Sequence, residues 1–323
     1  MKYSMFLPVL ISFAISALLG PVVIPFLHRL KFGQYIREEG PKAHQKKSGT
    51  PTMGGVIFII SVTVTSLFFV REYPLILPVL FTTLGFGIIG FLDDYIKVVK
   101  KRNLGLTEIQ KLAGQIAITA IFTFYLLNYT DVGTRILIPF TGGFEDGLYL
   151  EFPVWLFVVF IFFVVLGTVN GTNFTDGLDG LLSSVTVLVA VFFTVVAIAV
   201  RSGLHPITGA VVGALLGFLL FNVYPAKVFM GDTGSLALGG FVASTAIVLK
   251  MPIFIVIVGI IYLVEILSVI IQVTYFKVTG GKRIFKMAPI HHHFELSGWP
   301  ETKVVAIFSI ITAIACIVGF LAL

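Results

Sequence analysis

Between two long apolar runs lies a polar stretch, Asn222 to Ser235, reading Asn-Val-Tyr-Pro-Ala-Lys-Val-Phe-Met-Gly-Asp-Thr-Gly-Ser. Pro225 and Gly231 stop the flanking helices from running through it. Thr233, Gly234 and Ser235 open the next helix, whose free N–H groups and dipole suit an anion. Asp232 beside such an anion makes sense only with a cation between them. A magnesium-bridged phosphate meets that requirement. Phe229 could stack on a base, although interfacial aromatics are common without one.

Two more acid-bearing stretches flank apolar runs. In Gly90-Phe-Leu-Asp-Asp-Tyr-Ile-Lys97 the neighbours Asp93 and Asp94 point about 100° apart on a helix, so they cannot ligate one ion in the same way. One could face a cleft while the other orients Lys97 or a backbone group. A solvated pair is the alternative, but acids near a helix C-terminus oppose the dipole. In Val169–Leu181, Asn170, Asn173, Asp176 and Asp179 recur every third residue. A helix from about 173 would put Asp176 and Asp179 on one face. Turn chemistry plus an N-cap would need fewer such groups.

The basic loop Arg37 to Gly55 runs from Lys47 into Ser-Gly-Thr-Pro-Thr, ending at Thr52, a donor-rich run able to line a nucleotide or pyrophosphate. Its lysines are also topology signals and anionic-lipid contacts. The spacing is not that of a P-loop. Ala288-Pro-Ile-His-His-His-Phe-Glu295 places His291, His292 and His293 side by side. Three adjacent histidines cannot all bind one metal in a regular helix, and separated zinc ligands are absent. One or two could hydrogen-bond a phosphate; a solvated loop is the other reading. Glu265, inside an apolar run, either bonds to a neighbouring helix or serves binding.

What must position these residues is a membrane scaffold. Of 323 residues 57% are hydrophobic and 12% charged, which excludes an ordinary soluble enzyme. Ten apolar segments of ~20 residues could each cross a bilayer, at roughly 4–27, 54–70, 75–96, 111–128, 153–170, 179–200, 205–222, 234–250, 252–276 and 303–322. They form one integral-membrane domain over 1–323, all-α, without internal repeats. With the N-terminus outside, inner loops hold 17 of the 22 Lys and Arg residues and outer loops five. Both termini are therefore expected outside, with the polar motifs at the cytoplasmic face. The long outer loop 129–152 predicts a small periplasmic β-hairpin. Gly209, Gly213 and Gly217 predict a close helix–helix face. Cys316, the one cysteine, can form no intrachain disulfide.

Six motifs together resemble the phospho-N-acetylmuramoyl-pentapeptide transferases of bacterial peptidoglycan synthesis, within the polyprenyl-phosphate N-acetylhexosamine-1-phosphate transferase superfamily. They are Pro-Lys-Ala-His (41–44), Gly-Thr-Pro-Thr-Met-Gly-Gly (49–55), Phe-Leu-Asp-Asp-Tyr (91–95), Asn-Phe-Thr-Asp-Gly-Leu-Asp-Gly-Leu (173–181), Val-Phe-Met-Gly-Asp-Thr-Gly-Ser (228–235) and Pro-Ile-His-His-His-Phe-Glu (289–295). The last separates this family from transferases acting on UDP-N-acetylglucosamine. The resemblance implies ten transmembrane helices with both termini outside, a bacterial inner-membrane location and a homodimer. It implies a magnesium-dependent transfer of phospho-MurNAc-pentapeptide from UDP to undecaprenyl phosphate in a cleft open to membrane lipid, with no nucleic-acid partner.

Carried onto this chain, it implies essential aspartates at Asp93, Asp94 and Asp232, with Asp232 the metal ligand. It implies a uridine pocket near Lys47, Thr52, Asn173, Asp176, Gly177, Leu178, Asp179 and Phe229. It implies that Lys111, Asn222 and His291 join the catalytic set, and that Asn170, Lys97, Gln272 and His292 line the substrate at further polar cleft positions. A secondary transporter, the rival class, would carry its charges near the midplane and show inverted internal symmetry. Here only Glu265 is central.

Overall fold

The computed structural model describes residues 3–29, 49–100 and 104–323. Where lipid offers no hydrogen-bond partner, an apolar run satisfies its own backbone by coiling into a helix. The chain does so at α1 (Tyr3–Arg29), α2 (Gly55–Leu67), α3 (Ile76–Val99) and α4 (Glu108–Tyr129). After a hairpin come α6 (Val154–Thr175), α7 (Leu181–Ala199), α8 (His205–Asn222) and α9 (Gly231–Val248). The short α10 (Ile255–Val258) and α11 (Ile260–Val278) follow, then α12 (Ile290–Glu295) and α13 (Glu301–Leu321).

Among the described residues eight helices are long and apolar enough to cross a membrane: α1, α3, α4, α6, α7, α8, α11 and α13. The segments expected at 54–70 and 234–250 are helical as well. Of these, α2 is apolar but only 13 residues long. α9 has 18 residues and includes Asp232 among several small polar residues.

The segment expected at 252–276 is broken. A 3₁₀ turn at Pro252–Phe254 leads into α10, and Gly259 separates α10 from α11.

The centre of the bundle is α9, buried at every residue from Thr233 to Val248. α3 and α8 are largely buried too, whereas α1, α4, α6, α11 and α13 expose most of their length. Their outward side chains, among them Phe6, Leu18, Phe163 and Ile314, form an apolar belt suited to lipid. On α8 the expected small-residue face is present: side chains at Gly213 and Gly217 would run into the backbone of Val9 and Phe13 on α1.

The hairpin expected in 129–152 pairs β1 (Arg135–Leu137) with β2 (Tyr149–Glu151), antiparallel, with Ile136 opposite Leu150. A single helical turn, α5 (Gly143–Asp146), fills its loop. Leu137 N–H donates to the Lys250 carbonyl at 2.8 Å and Phe140 N–H to the Ala322 carbonyl at 2.8 Å. The hairpin is thereby tied to the far ends of α9 and α13. The acid-bearing ends of α9 and its neighbours lie at the other end of the bundle, about 27 Å away along the 18 residues of α9.

Candidate active site

Three carboxylates converge from two adjacent helices. Asp93 and Asp94 leave α3 one turn before its end, and Asp232 leaves the first turn of α9. One oxygen of each lies within 4.8 Å of the others. The close approach depends on Gly90, where a Cβ would collide with the Asp232 carbonyl.

The adjacent acids divide their work, as their angular separation requires. Asp94 Oδ2 accepts from Thr233 N–H at 2.9 Å and from Thr233 Oγ1 at 2.7 Å. At the amino end of α9, where the sequence predicts an anion, Thr233 thus receives this chain's own Asp94. Asp93 pairs with Lys97 Nζ, and its Oδ1 accepts from Leu106 N–H at 2.8 Å. Both acids are buried, so the solvated reading fails.

The cation expected beside Asp232 also has counterparts in the chain. Lys97 Nζ lies 3.1 Å and Lys111 Nζ 2.8 Å from Asp232 Oδ2. A capping box, Thr107 with Gln110, fixes the start of α4 and so places Lys111 on this face. Asp232 Oδ1 accepts from Asn173 Nδ2 at 2.9 Å, and the same amide donates to Ser235 Oγ at 2.8 Å. Asn170, one turn back on α6, exchanges hydrogen bonds with Gln115 of α4 (3.0 and 3.5 Å).

No helix starts near 173. α6 ends at Thr175, and Gly180, with a left-handed φ of 74°, begins α7. Asp176 and Asp179 therefore lie in a turn instead of along one helical face. Desolvation first, then the charges of Asp232, Asp94 and Asp179, push the Asp176 carboxyl up to about 8. Carboxylates outnumber the lysines here, a surplus that an oxygen-coordinated divalent cation would balance.

Asp179 fastens the turn to its neighbours. Its N–H donates to Glu301 Oε1 of α13 at 2.6 Å, and its Oδ2 accepts from Ala226 N–H at 2.9 Å. Leu178 is buried beneath the turn. Asn222 accepts from Ser183 Oγ at 2.8 Å and donates to the Val228 carbonyl at 3.0 Å, bracing the loop that carries Phe229. That loop is laced to the 51–54 segment: Phe229 N–H donates to the Pro51 carbonyl and Gly54 N–H to the Phe229 carbonyl, both at 2.8 Å. Thr52 Oγ1 borders Gly231 in the same place. Lys47 lies outside the described residues.

The histidines are held by the protein. His291, buried on α12, has Nδ1 3.0 Å from Glu265 Oε1, and its ring meets Gly177. His292 Nδ1 is 2.7 Å from Glu295 Oε2. His293 Nδ1 accepts from Lys286 N–H at 3.1 Å. Gln272 clamps a loop, accepting from Ile284 and Phe285 N–H and donating to the Phe285 carbonyl.

Four polar residues join this network without having stood out as candidates in the sequence. Gln115 lies one turn past Lys111 on α4, a spacing that points to it. Thr233 and Ser235 read in the sequence only as a helix start. Glu301, just after Pro300, looks like an ordinary first-turn acid.

Residues 76–250 match the family model described as glycosyl transferase family 4, and residues 47–59 match phospho-N-acetylmuramoyl-pentapeptide-transferase signature 1. The chain is 56% identical to a phospho-N-acetylmuramoyl-pentapeptide-transferase of Acetivibrio thermocellus, over 97% of this chain and 94% of that one. It is 54% identical to the like-named protein of Clostridium botulinum (97% and 95%) and 50% identical to that of Clostridium kluyveri (99% and 100%). With end-to-end coverage at that identity, the chain belongs to the phospho-N-acetylmuramoyl-pentapeptide-transferase family, within glycosyl transferase family 4.

Proposed function

We propose that this chain transfers phospho-MurNAc-pentapeptide from UDP-MurNAc-pentapeptide to undecaprenyl phosphate, releasing UMP and forming lipid I in peptidoglycan synthesis. The observation that carries the reading is the meeting of Asp93, Asp94 and Asp232 with Lys97 and Lys111 at one end of a bundle of membrane-length helices. One substrate is a soluble anion and the other a phosphate on a lipid, so they can meet only at a membrane surface.

The distribution of Lys and Arg supports putting that surface in the cytoplasm, with both termini outside and ten crossings once α2 and α9 are counted. The enzyme then sits in the bacterial inner membrane. A homodimer is proposed on the family resemblance alone.

In the transfer, an oxygen of the lipid phosphate attacks the sugar-bearing phosphorus as the bond to the UMP oxygen breaks. Such a reaction needs in-line placement and neutralisation of the phosphoryl oxygens more than covalent help. Lys97 and Lys111 supply positive charge beside Asp232. Three oxygen ligands within 4.8 Å suit a small hard cation. Asp232, beside Asp93 and Asp94, would hold magnesium, which when bound neutralises diphosphate charge.

A phosphate monoester has a second pKa of about 6, so the acceptor is largely dianionic near neutrality. Asp93, tied to Lys97 and Leu106, therefore positions the acceptor and adds little as a base. Phe229, Thr52, Lys47, Asn173 and the Asp176–Asp179 turn receive the uridine end. Asn170, Asn222, Gln272, His291 and His292 support that cleft.

The test is UMP release with undecaprenyl phosphate, with and without magnesium, from UDP-MurNAc-pentapeptide and from UDP-N-acetylglucosamine. Magnesium-dependent release from the first alone is expected. No release from it, or faster release from the second, would overturn the proposal.

A further inference from the structure

We infer that Glu265 is a positioning residue for the proposed transfer, holding the His291 imidazole with Nε2 turned to the Gly177 turn. Glu265 is wholly buried on α11 among apolar neighbours, a costly place for a carboxylate without a partner. Its partner is His291, 1% exposed, with Nδ1 3.0 Å from Glu265 Oε1.

A carboxylate in its ionised form only accepts, so in the inferred arrangement the bond runs from Nδ1–H to oxygen and selects the ring's tautomer. Nε2 is then the nitrogen left to act. Among the described residues it is buried without a hydrogen-bond partner, as is Glu265 Oε2. Buried polar atoms are nearly always paired, and an orphan marks a place where something else completes the set. Nε2 abuts Gly177, where any Cβ would collide with it. Gly177 follows Asp176 in the turn assigned to the nucleotide, so the orphaned nitrogen borders that pocket. Glu265 is about two turns of α11 from Gln272, and among the described residues its side-chain hydrogen bond goes to the imidazole.

The inference rests on the proposed function, and the experiment separates the two. Full-length enzyme in detergent is assayed for UMP release with Glu265→Gln, His291→Gln and the double variant, and thermal unfolding is followed for each. Glutamine keeps the acceptor oxygen and removes the charge. Expected is a fall in kcat of roughly tenfold or more for Glu265→Gln, with KM for the UDP substrate within about threefold and the unfolding midpoint unchanged. In the His291→Gln background the same substitution should cost no further kcat, because its whole effect passes through the ring.

Wild-type kcat in Glu265→Gln, or an equal loss with and without His291, would overturn the inference. If glutamine does not fold there, Glu265→Asp, which keeps the charge on a shorter arm, is read by the same criteria. Wild-type enzyme that releases no UMP sinks the proposed function before any variant is compared.

Discussion

Asp94 caps α9: both the N–H and the hydroxyl of Thr233 donate to its Oδ2, at 2.9 and 2.7 Å. One carboxylate thus joins the end of α3 to the start of the central helix and fixes the direction in which Asp232 leaves it. Asp94→Ala should lower both activity and stability, the latter by about 1–3 kcal/mol because a buried N–H loses a charged acceptor. Thr233→Val, which keeps the N–H bond, should cost less than half as much. Thermal unfolding of the two variants in one detergent checks this. Equal midpoints for Asp94→Ala and wild type would show that the cap contributes nothing.

Lys111 reaches Asp232 from a different helix than Lys97 does, so the two ammonium groups are not redundant. Lys111→Met removes one positive charge from a site already rich in carboxylates. A loss of roughly a hundredfold or more in kcat is expected, the scale seen when one preorganised charge-stabilising group is removed. Steady-state UMP release at saturating substrates measures it. A change confined to KM would make Lys111 a binding group only.

Asp93 has both oxygens engaged, one by Lys97 and one by Leu106 N–H. If it positions the acceptor, Asp93→Asn should retain turnover above background, reduced by roughly ten- to a hundredfold. Asp232→Asn, which removes a metal ligand and the partner of both lysines, should fall much further. Complete loss in Asp93→Asn at all pH values, or a trapped phospho-enzyme, would favour a base or a covalent route instead.

Much of this site is legible in the sequence because its residues are the wrong kind for their surroundings. Asp93, Asp94, Asp232 and the Asn173–Asp179 run each interrupt or bound an apolar run, and only a purpose keeps a carboxylate there. The hairpin and the glycine face of α8 are readable from alternation and spacing. Less legible is which partner satisfies which group. That Asp94 serves as the anion at α9, and Lys97 and Lys111 as the cations at Asp232, depends on helix packing that no local pattern encodes. At 173–181 the pattern misleads, because three-residue spacing fits a helix as well as the unwound end of one. Glu301 escapes notice for a related reason: an acid in a helix's first turn satisfies the dipole whether or not it reaches a distant loop.

Glu301 gives the next prediction. Its Oε1 accepts from Asp179 N–H at 2.6 Å, while Asp179 Oδ2 accepts from Ala226 N–H. The acid therefore holds the turn assigned to the nucleotide without joining the Asp232 cluster. Glu301→Ala should raise KM for the UDP substrate about ten- to a hundred-and-fiftyfold, the range for one hydrogen bond to a charged acceptor, with kcat within about threefold. Initial-rate kinetics at fixed lipid concentration resolve the two. A fall in kcat at unchanged KM would place Glu301 in the chemistry and not in the support of the turn.

The approach of α3 to α9 gives the last. At Gly90 even a methyl group would meet the Asp232 carbonyl and the Thr233 nitrogen, which are backbone atoms and cannot swing aside. Gly90→Ala must push the two helices apart at the level of the three acids. Overpacking of this kind costs typically 1–3 kcal/mol, and a shift of even 1 Å in reacting groups can cost about a hundredfold in rate. Activity should therefore drop far more than stability, and added magnesium should not restore it. Gly87→Ala, one turn earlier on α3, where a methyl group would come no closer than 3.2 Å to the yielding side chain of Ile59 and would meet Ala237 Cβ and the Thr233 carbonyl at ordinary contact distance, should be tolerated far better. If the two substitutions lower UMP release equally, the carboxylate cluster does not depend on how closely α3 and α9 approach at Gly90.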